Sequence, residues 1–237
     1  MKTKPKINVL LIDDDKILGA QLVRELNERG YETRYFPSVE RITENIRSLQ
    51  PDVLVLDVML GKQNGIEMGR NLYEIFPTLP IIFISSYHEE PLKEKGLHAG
   101  GVAYLDKPLS VRLLAAHIDR FARQRDGRYK EDDGAPERIG NMLLDNRNRA
   151  IITEDGIIKE LRPMDYVLLK KLTANLDRVV SREELFYAAW EGNTESYNEN
   201  SLNNYIRRLR VLLAENTNLK ITLQKGNGYK LSIHLLS

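Results

Sequence analysis

Residues 9–15 read VLLIDDD and residues 53–57 read VLVLD, two short apolar runs that both end in aspartate. Further short runs lie at 31–36 (YETRYF), 80–85 (PIIFIS) and 102–105 (VAYL), and amphipathic stretches separate them. Near-continuous apolar strands that alternate with helices are typical of a parallel sheet with helices on both faces. Residues 1–124 are therefore predicted to form an α/β domain built on a doubly wound five-stranded parallel sheet.

The chain changes character after residue 124. Residues 125–137 are charged, contain Gly and Pro and lack periodicity, which predicts a linker. Residues 138–237 then show short alternating strands, helical patterns and a terminal hairpin that turns through Lys225-Gly-Asn-Gly. The predicted helices span Met164–Ala174, Ser181–Trp190 and Ser201–Leu213. The second helix opens with Ser-Arg-Glu-Glu, a capping box. Three helices closed by a hairpin predict a small α+β winged helix-turn-helix domain.

The composition limits the class of protein. The 237 residues are 42% hydrophobic and 29% charged with a net charge of +1, as in ordinary globular proteins. No apolar run approaches the roughly 18 residues of a membrane-spanning helix, and the basic start MKTKPK meets Asp13 too soon for a signal peptide. A cytoplasmic protein without a membrane partner is expected. The absence of cysteine excludes disulfides and thiolate zinc sites.

Reactive side chains stand at the ends of four of the predicted strands. Asp13, Asp14 and Asp15 follow the first strand, and Asp57 ends the third. Ser85 ends the fourth strand, and Lys107 follows the fifth. The carboxyl ends of parallel strands meet at one edge of a sheet, where ligands bind. Clustered carboxylates repel one another unless a cation joins them, and hard oxygen ligands beside a phosphate suit Mg²⁺. A carboxylate can also attack a phosphoryl group and form an aspartyl phosphate. The sequence therefore predicts a magnesium-dependent phosphoryl site at this edge.

Positive charge is concentrated in the last helix and the hairpin. From Asn200 onward the basic residues are Arg207, Arg208, Arg210, Lys220, Lys225 and Lys230, and Glu215 is acidic. On a helix, Leu202, Ile206, Leu209 and Leu213 share one stripe, and the opposite face carries Asn200, Asn204, Arg207, Arg208 and Val211 with Arg210 on its flank. Arg pairs bidentately with guanine and Asn with adenine in the major groove. This helix is a candidate DNA-reading element, although a merely solvated face has a similar composition.

The strings VLLIDDDKIL, VLVLDVMLGKQNG, PIIFISS and GGVAYLDKPLS resemble the ordered motifs of CheY-like receiver domains, which have a flavodoxin-like fold. The resemblance implies that a sensor histidine kinase phosphorylates Asp57. It implies that Asp14, Asp57 and the Met59 carbonyl hold Mg²⁺, with Asp13 acting mainly through water. Lys107 would add a positive charge beside the phosphoryl group.

The same resemblance makes Ser85 and Tyr104 a switch pair, in which the hydroxyl turns toward the phosphoryl group and the aromatic ring follows inward. Gly61 stands where many receivers have Pro, which we interpret as a minor loop change. Val102-Ala103 replaces an acidic pair usual in OmpR/PhoB-type receivers, where it supports dimerisation. We expect a homodimer through the receiver, formed by a more apolar contact around Val102-Ala103 and Leu113.

The segments LRPMDYVLLKKLTANLDRVVSREELFYAAW, SLNNYIRRLRVLL and LQKGNGYKL resemble the effector domain of the OmpR/PhoB family. The DNA-binding roles that carry over are those of the recognition helix (Arg207, Arg208, Arg210) and the wing (Lys225, Tyr229). Asn200 stands where the family usually has Arg, and Asn203 and Asn204 replace its Asp and an apolar residue, so no operator sequence carries over. Residues 191–199 lie where family members touch RNA polymerase.

These features predict a regulator rather than an enzyme: a two-component response regulator that binds double-stranded DNA. Two alternatives stay open. A receiver that serves only for dimerisation would give a phosphorylation-independent regulator. Asp13-x-Asp15 also resembles the nucleophile and acid of haloacid-dehalogenase-type phosphohydrolases, although nothing here resembles a substrate cap and Asp57 would then have no obvious role.

Overall fold

The computed structural model describes residues 6–122, 136–190, 199–214 and 217–234, without the side chains of 199 and 200. The chain divides into two compact units, residues 1–128 and 129–237. Of the predicted linker at 125–137, only Pro136 and Glu137 are among the described residues, and Glu137 already begins a strand. No helix in the described part is both long enough and apolar enough to span a bilayer.

The first unit alternates strands and helices along the chain. Its strands are β1 (Asn8–Ile12), β2 (Glu32–Phe36), β3 (Val53–Asp57), β4 (Met59–Leu60), β5 (Gln63–Asn64), β6 (Ile81–Ser85) and β7 (Gly101–Asp106). Its helices are α1 (Lys16–Glu28), α2 (Ile42–Leu49), α3 (Gly65–Ile75), α4 (Glu90–His98) and α5 (Val111–Phe121). Asp15, Asn64 and Ser110 cap α1, α3 and α5, because their side-chain oxygens accept hydrogen bonds from first-turn N–H groups.

Five of these strands form one parallel sheet in the order β2-β1-β3-β6-β7. The strand order reverses between β1 and β3, and ligands of such sheets bind in the crevice outside the carboxyl ends at this point. Directly after β3, β4 and β5 form a small antiparallel pair. This is the predicted doubly wound fold, and it places the ends of β1 and β3 side by side.

The core of this unit follows the predicted apolar pattern, with one exception in α1. β3 and β6 are buried along their whole length, as parallel strands covered on both faces should be. Ile17, in the first turn of α1, is 83% exposed, whereas Leu22 and Leu26 are buried. At about 100° per residue, Ile17 lies nearly opposite Leu26 on the helix. Ile17 therefore lies on the solvent-facing side of α1.

In the residues that the structure describes, the second unit combines two small sheets with three helices. Its strands are β8 (Glu137–Ile139), β9 (Met142–Asp145), β10 (Ala150–Ile152), β11 (Ile158–Glu160), β12 (Val179–Val180), β13 (Leu219–Gln224) and β14 (Gly228–Ile233). Its helices are α6 (Pro163–Thr173), α7 (Arg182–Trp190) and α8 (Glu199–Ala214). The antiparallel sheets have the orders β11-β10-β9-β8 and β12-β14-β13. Three helices and a closing hairpin make this the predicted winged-helix domain.

Two details of the second unit differ from the sequence pattern. Residues 138–144, which alternate like one strand, lie in two strands, because Gly140 adopts φ +58° and the chain reverses between β8 and β9. The short strand β12 has no signal of its own, and it forms by pairing with β14. A Cβ at Gly228 would lie 2.1 Å from the Val180 carbonyl oxygen. Glycine therefore allows the wing, which is the hairpin of β13 and β14, to lie against β12.

The predicted capping box at the start of α7 is present. The Ser181 hydroxyl accepts a hydrogen bond from the Glu184 N–H at 3.0 Å, and a Glu184 carboxylate oxygen accepts one from the Ser181 N–H at 2.9 Å. The Ser181 N–H, and after it the Ser181 hydroxyl, lower the pKa of Glu184. The two bonds satisfy backbone donors that the helix leaves without intrahelical partners.

Candidate functional site

Asp57 ends β3 at the crevice, and Lys107 reaches it from the loop after β7. The Lys107 Nζ lies 2.8 Å from Asp57 Oδ2 and 2.8 Å from Asp13 Oδ2. Asp57 Oδ1 accepts a hydrogen bond from the Met59 N–H at 3.2 Å. Asp13 and Asp57 are both buried. The ends of three separate strands thus bring one ammonium group and two carboxylates together, as their positions after the strands predict.

Burial dominates the electrostatics of this group. It raises the pKa of Asp57, and the hydrogen bond and charge of Lys107 oppose that rise. Burial also disfavours the charged form of Lys107, but its hydrogen bonds to Asp13 and Asp57 outweigh this effect and raise the pKa of Lys107. Lys107 therefore carries its positive charge at neutral pH, directly beside the carboxylate of Asp57.

Three carboxylates face the crevice and fit a divalent cation. Asp13, Asp14 and Asp57 each offer one oxygen, and these oxygens all lie within 4.8 Å of one another. Hard oxygen donors at this separation suit Mg²⁺, and a cation would offset the repulsion between the carboxylates. The donor set therefore matches the metal that the sequence predicts.

Gly61 contacts one of these three carboxylates, that of Asp14. Its N–H donates a hydrogen bond to Asp14 Oδ2 at 2.9 Å, and its φ is +62°. Proline has no N–H and is fixed near φ −65°, so it could supply neither feature. Gly61 therefore supplies Asp14 with a hydrogen bond that proline at this position could not donate.

The predicted switch pair lies at β6 and β7. Ser85 is fully buried, and its hydroxyl accepts a hydrogen bond from the Tyr87 N–H at 3.0 Å. The Tyr104 ring is buried with its centre 6.5 Å from that of Phe83, and its hydroxyl donates to the Tyr87 carbonyl at 3.3 Å. Both members of the pair thus contact the same loop residue.

Asp15 has a structural task outside the cluster. Its Oδ1 accepts hydrogen bonds from the N–H groups of Ile17 and Leu18 at 2.9 and 3.0 Å, which caps α1. Asp13, the nucleophile in the phosphohydrolase alternative, is completely buried and paired with Lys107. Asp15, the acid in that alternative, is committed to the α1 cap, and this disfavours the alternative.

The helix α8 has the predicted apolar stripe, since Leu202, Ile206, Leu209 and Leu213 are all buried. Of the candidate DNA-contacting residues, Asn204, Arg207, Arg210 and Lys225 are exposed. The side chain of Asn200 lies outside what the structure describes. So does nearly all of the predicted polymerase-contacting segment at 191–199, of which only the backbone of Glu199 is described.

Arg208 points into its own domain, which contradicts a base-reading role. Its Nε and Nη2 donate to the two carboxylate oxygens of Asp165 at 3.2 and 2.7 Å, a bidentate pair. Asp165 is 4% exposed. Burial raises the pKa of Asp165, and the hydrogen bonds from Arg208 oppose the rise. The Arg208 guanidinium, which we assigned to DNA, thus donates its hydrogen bonds to a buried carboxylate and offsets the cost of burying that charge.

Tyr229 is a second wing assignment that the structure corrects. Its ring is buried, and its hydroxyl donates to Asn203 Oδ1 at 2.7 Å. The Arg182 Nη1 donates to the same oxygen at 3.2 Å. The Arg210 Nε donates to a wing carbonyl, that of Ile221, at 2.9 Å. Tyr229 therefore lies beneath the surface that α7, α8 and the wing form, and it holds the Asn203 side chain of that surface in position.

Asp165 and Arg182 are partners of the recognition helix that the sequence patterns did not reveal, although both lie in the segments that carry the family resemblance. The pair of Asp165 with Arg208 joins residues 43 positions apart, and no periodicity links positions at that distance. The sequence did contain one signal, since Asp165 is an acidic residue in the otherwise apolar stripe of α6. Asp165 shares that buried stripe with Leu168, Leu169 and Leu172.

The proposed apolar dimer contact is only partly available. Val102 and Ala103 are 3% and 6% exposed, so they offer almost no surface to a second chain. Leu113 on α5 is 48% exposed. Asp119, on the same helix, accepts a hydrogen bond from the Tyr31 hydroxyl at 2.7 Å. The part of our prediction that relied on Val102 and Ala103 was wrong, because helices cover β7.

Comparison with known proteins agrees with this two-part organisation. Residues 9–119 match the family model of the response regulator receiver domain, and residues 143–231 match that of the C-terminal domain of transcriptional regulatory proteins. The phosphate regulon transcriptional regulatory protein PhoB of Pseudomonas aeruginosa is 32% identical over 226 residues, which cover 94% of this chain and 96% of PhoB.

Two further relatives cover nearly the whole chain. The transcriptional regulatory protein CreB of Escherichia coli is 31% identical over 226 residues, 94% of this chain and 96% of CreB. A solved structure of a RitR mutant covers 97% of this chain and 100% of its own, with a TM-score of 0.64 and 23% identity, and supports the fold alone. The chain belongs to the OmpR/PhoB family of response regulators, in which a receiver domain precedes a DNA-binding winged-helix domain.

Proposed function

We propose that a sensor histidine kinase phosphorylates Asp57 and that this modification controls dimerisation, DNA binding and transcription. The observation that carries the proposal is the contact of the Lys107 ammonium with the Asp57 carboxylate at 2.8 Å in a buried crevice. A carboxylate at the end of a strand can act as nucleophile, and a fixed positive charge beside it stabilises the charge of the transferred group.

The chemistry follows from the groups around Asp57. An oxygen of its carboxylate attacks the phosphorus of a phosphohistidine, the phosphorus–nitrogen bond breaks, and an acyl phosphate forms while the histidine leaves. Lys107 faces the new phosphoryl oxygens with its positive charge. The Ser85 hydroxyl lies at the end of the neighbouring strand β6 and can donate a hydrogen bond to one of them. Lys107 is in place before reaction, so little reorganisation of this charge is needed.

A magnesium ion would be held by Asp14 and Asp57 with the Met59 carbonyl, and Asp13 would contact it mainly through water. When bound, Mg²⁺ supplies positive charge that neutralises the carboxylates and the phosphoryl oxygens. The Gly61 N–H keeps Asp14 in the crevice. The Met59 N–H orients the Asp57 carboxylate.

For DNA, we assign contacts to the exposed part of the second unit. Asn204 and Arg207 face outward from α8 and are suited to base edges. Lys225, exposed in the turn of the wing, and Arg210 are suited to phosphates. Asn200 remains a candidate at the start of α8. Arg208 and Tyr229 are not assigned to DNA, since both are engaged within the domain.

The partners follow from these roles. The receiver would meet its kinase and a second copy of itself, and the effector domain would meet double-stranded DNA and RNA polymerase. DNA binding places the protein in the cytoplasm. Pairing of two receivers would bring two winged helices onto half-sites about one helical turn apart.

Acetyl phosphate with Mg²⁺ tests the central step on the full chain. We expect acid-labile phosphate on the wild type and none on Asp57→Asn, which keeps the shape of the side chain and removes its nucleophilic charge. Asp15→Asn is the matched control, since asparagine also caps helices and Asp15 lies outside the cluster. Phosphorylation of Asp57→Asn would refute the assignment. Unchanged DNA affinity after phosphorylation of the wild type would favour the phosphorylation-independent alternative.

A further inference from the structure

Asn203 lies on the exposed side of α8 that faces the wing. With Arg207 and Arg210, four and seven positions further along, it forms one exposed stripe of the helix. The helix begins at Glu199, so Asn203 lies in its N-terminal part. In helix-turn-helix proteins the N-terminal residues of the recognition helix contact base edges.

The orientation of the Asn203 amide is fixed by its neighbours. Its Oδ1 accepts one hydrogen bond from the Tyr229 hydroxyl at 2.7 Å and another from Arg182 Nη1 at 3.2 Å. A guanidinium nitrogen can only donate, so the Asn203 atom that faces it has to be the oxygen. The amide nitrogen therefore lies on the opposite side. Within the part of the chain that the structure describes, no group accepts a hydrogen bond from it.

The groups that fix this orientation are themselves held. The Tyr229 ring is buried, and the guanidinium carbons of Arg182 and Arg210 lie 5.3 and 5.8 Å from its centre. A rotation of the Asn203 amide by 180° would place its NH₂ group against the Arg182 guanidinium and break the bond that Arg182 donates. The oxygen is thus committed to the protein, and only the donor remains for DNA.

We propose that Asn203 reads a base pair as a donor only and selects guanine, an inference that rests on the proposed role of α8 in DNA binding. An asparagine that reads adenine needs its oxygen and nitrogen together, and here the oxygen is occupied. Guanine presents two acceptors, N7 and O6, in the major groove, whereas adenine and thymine present one acceptor each and cytosine presents a donor. Asn204, one position further on, lies on the adjacent stripe and reads a different base pair.

Aspartate at this position would have the opposite preference. One of its oxygens can accept the two hydrogen bonds from Arg182 and Tyr229, and the other then points outward as an acceptor. An outward acceptor matches the amino group of cytosine. The resemblance implies aspartate at this position in the family, so the amide of Asn203 reverses the hydrogen-bonding character of one contact.

Selection from a random-sequence duplex library tests this inference with the full-length protein, treated with acetyl phosphate and Mg²⁺. The wild type should select a motif that contains one guanine which Asn203→Asp replaces by cytosine, with a preference of about tenfold for each. Asn203→Leu should lose the preference at that position and gain none. The negative charge that Asn203→Asp adds should weaken binding to all sequences alike, so the charge alone does not change which base is selected. Thermal unfolding monitored by Trp190 fluorescence shows that each variant is folded.

Three results would overturn the inference. An unchanged motif with Asn203→Asp, with or without uniformly weaker binding, would assign Asn203 to a phosphate or to structure alone. A change at the same position with the control Asn204→Asp would assign that base pair to Asn204. Failure of the wild type to select any motif would refute the proposed DNA-reading role itself, and the inference would fail with it.

Discussion

Replacement of Arg208 by alanine would leave the Asp165 carboxylate buried without its bidentate partner. Removing one member of a buried ion pair destabilises a protein by about 3–5 kcal/mol. The Arg208 side chain is one-third exposed, so solvent screens part of the pair, and we expect a loss of about 3 kcal/mol. For a domain of roughly 100 residues this lowers the unfolding midpoint by about 10–20 °C.

The fluorescence of Trp190 provides the assay. It is the single tryptophan of the chain and is buried in the second unit against Phe186 and Tyr205, so it reports on that unit alone. Arg207→Ala is the matched control, and as an exposed substitution it should change stability by no more than about 0.5 kcal/mol. The double variant Asp165→Leu with Arg208→Met should recover most of the loss, because it leaves no unpaired buried charge.

The pH dependence of Arg208→Ala has a definite sign. Burial already raises the pKa of Asp165, and removal of Arg208 removes the main opposing effect, so the folded-state pKa rises further. A raised folded-state pKa means that the folded protein binds the proton more tightly than the unfolded chain. The stability deficit should therefore be largest above the folded-state pKa and shrink as the pH falls through it. Wild-type stability together with a changed base preference would instead make Arg208 a base reader and refute this reasoning.

Three further outcomes are expected. Gly61→Pro, which removes the N–H that holds Asp14 and cannot adopt φ +62°, should weaken Mg²⁺ binding in calorimetric titration, and an unchanged affinity would contradict the role of Gly61. Ser181→Ala should cost about 1 kcal/mol in thermal unfolding. Part of this cost should depend on pH: because the box lowers the pKa of Glu184, that part should be complete above a pH of about 4.3 and be lost as the pH falls through the lower folded-state pKa, and a cost that grows at low pH would argue against the box. Lys225→Ala should weaken binding to all DNA sequences alike and reduce the salt slope by about one, whereas a sequence-dependent loss would indicate base contact.

Local patterns determined the architecture and the phosphoryl site. Apolar runs such as VLVLD at 53–57, which are short and rich in Val, are typical of strands buried on both faces, and parallel strands bring their carboxyl ends to one edge. The positions of Asp13, Asp57 and Lys107 directly after strands were therefore enough to predict that they converge. The stripe of leucines on α8 was equally predictable, since helical periodicity is a local property of the sequence.

Tertiary structure alone decided which polar groups are free to act. Arg207 and Arg208 are adjacent and chemically identical, yet Arg207 is exposed and Arg208 is bound to Asp165. In the same way Val102 and Ala103 looked like a dimer surface, and helices packed on β7 bury them. Periodicity indicates the face of a helix or strand on which a residue lies. Whether a charged or apolar side chain on that face meets solvent or a distant partner depends on contacts between segments far apart in the sequence, and only the folded chain brings these together.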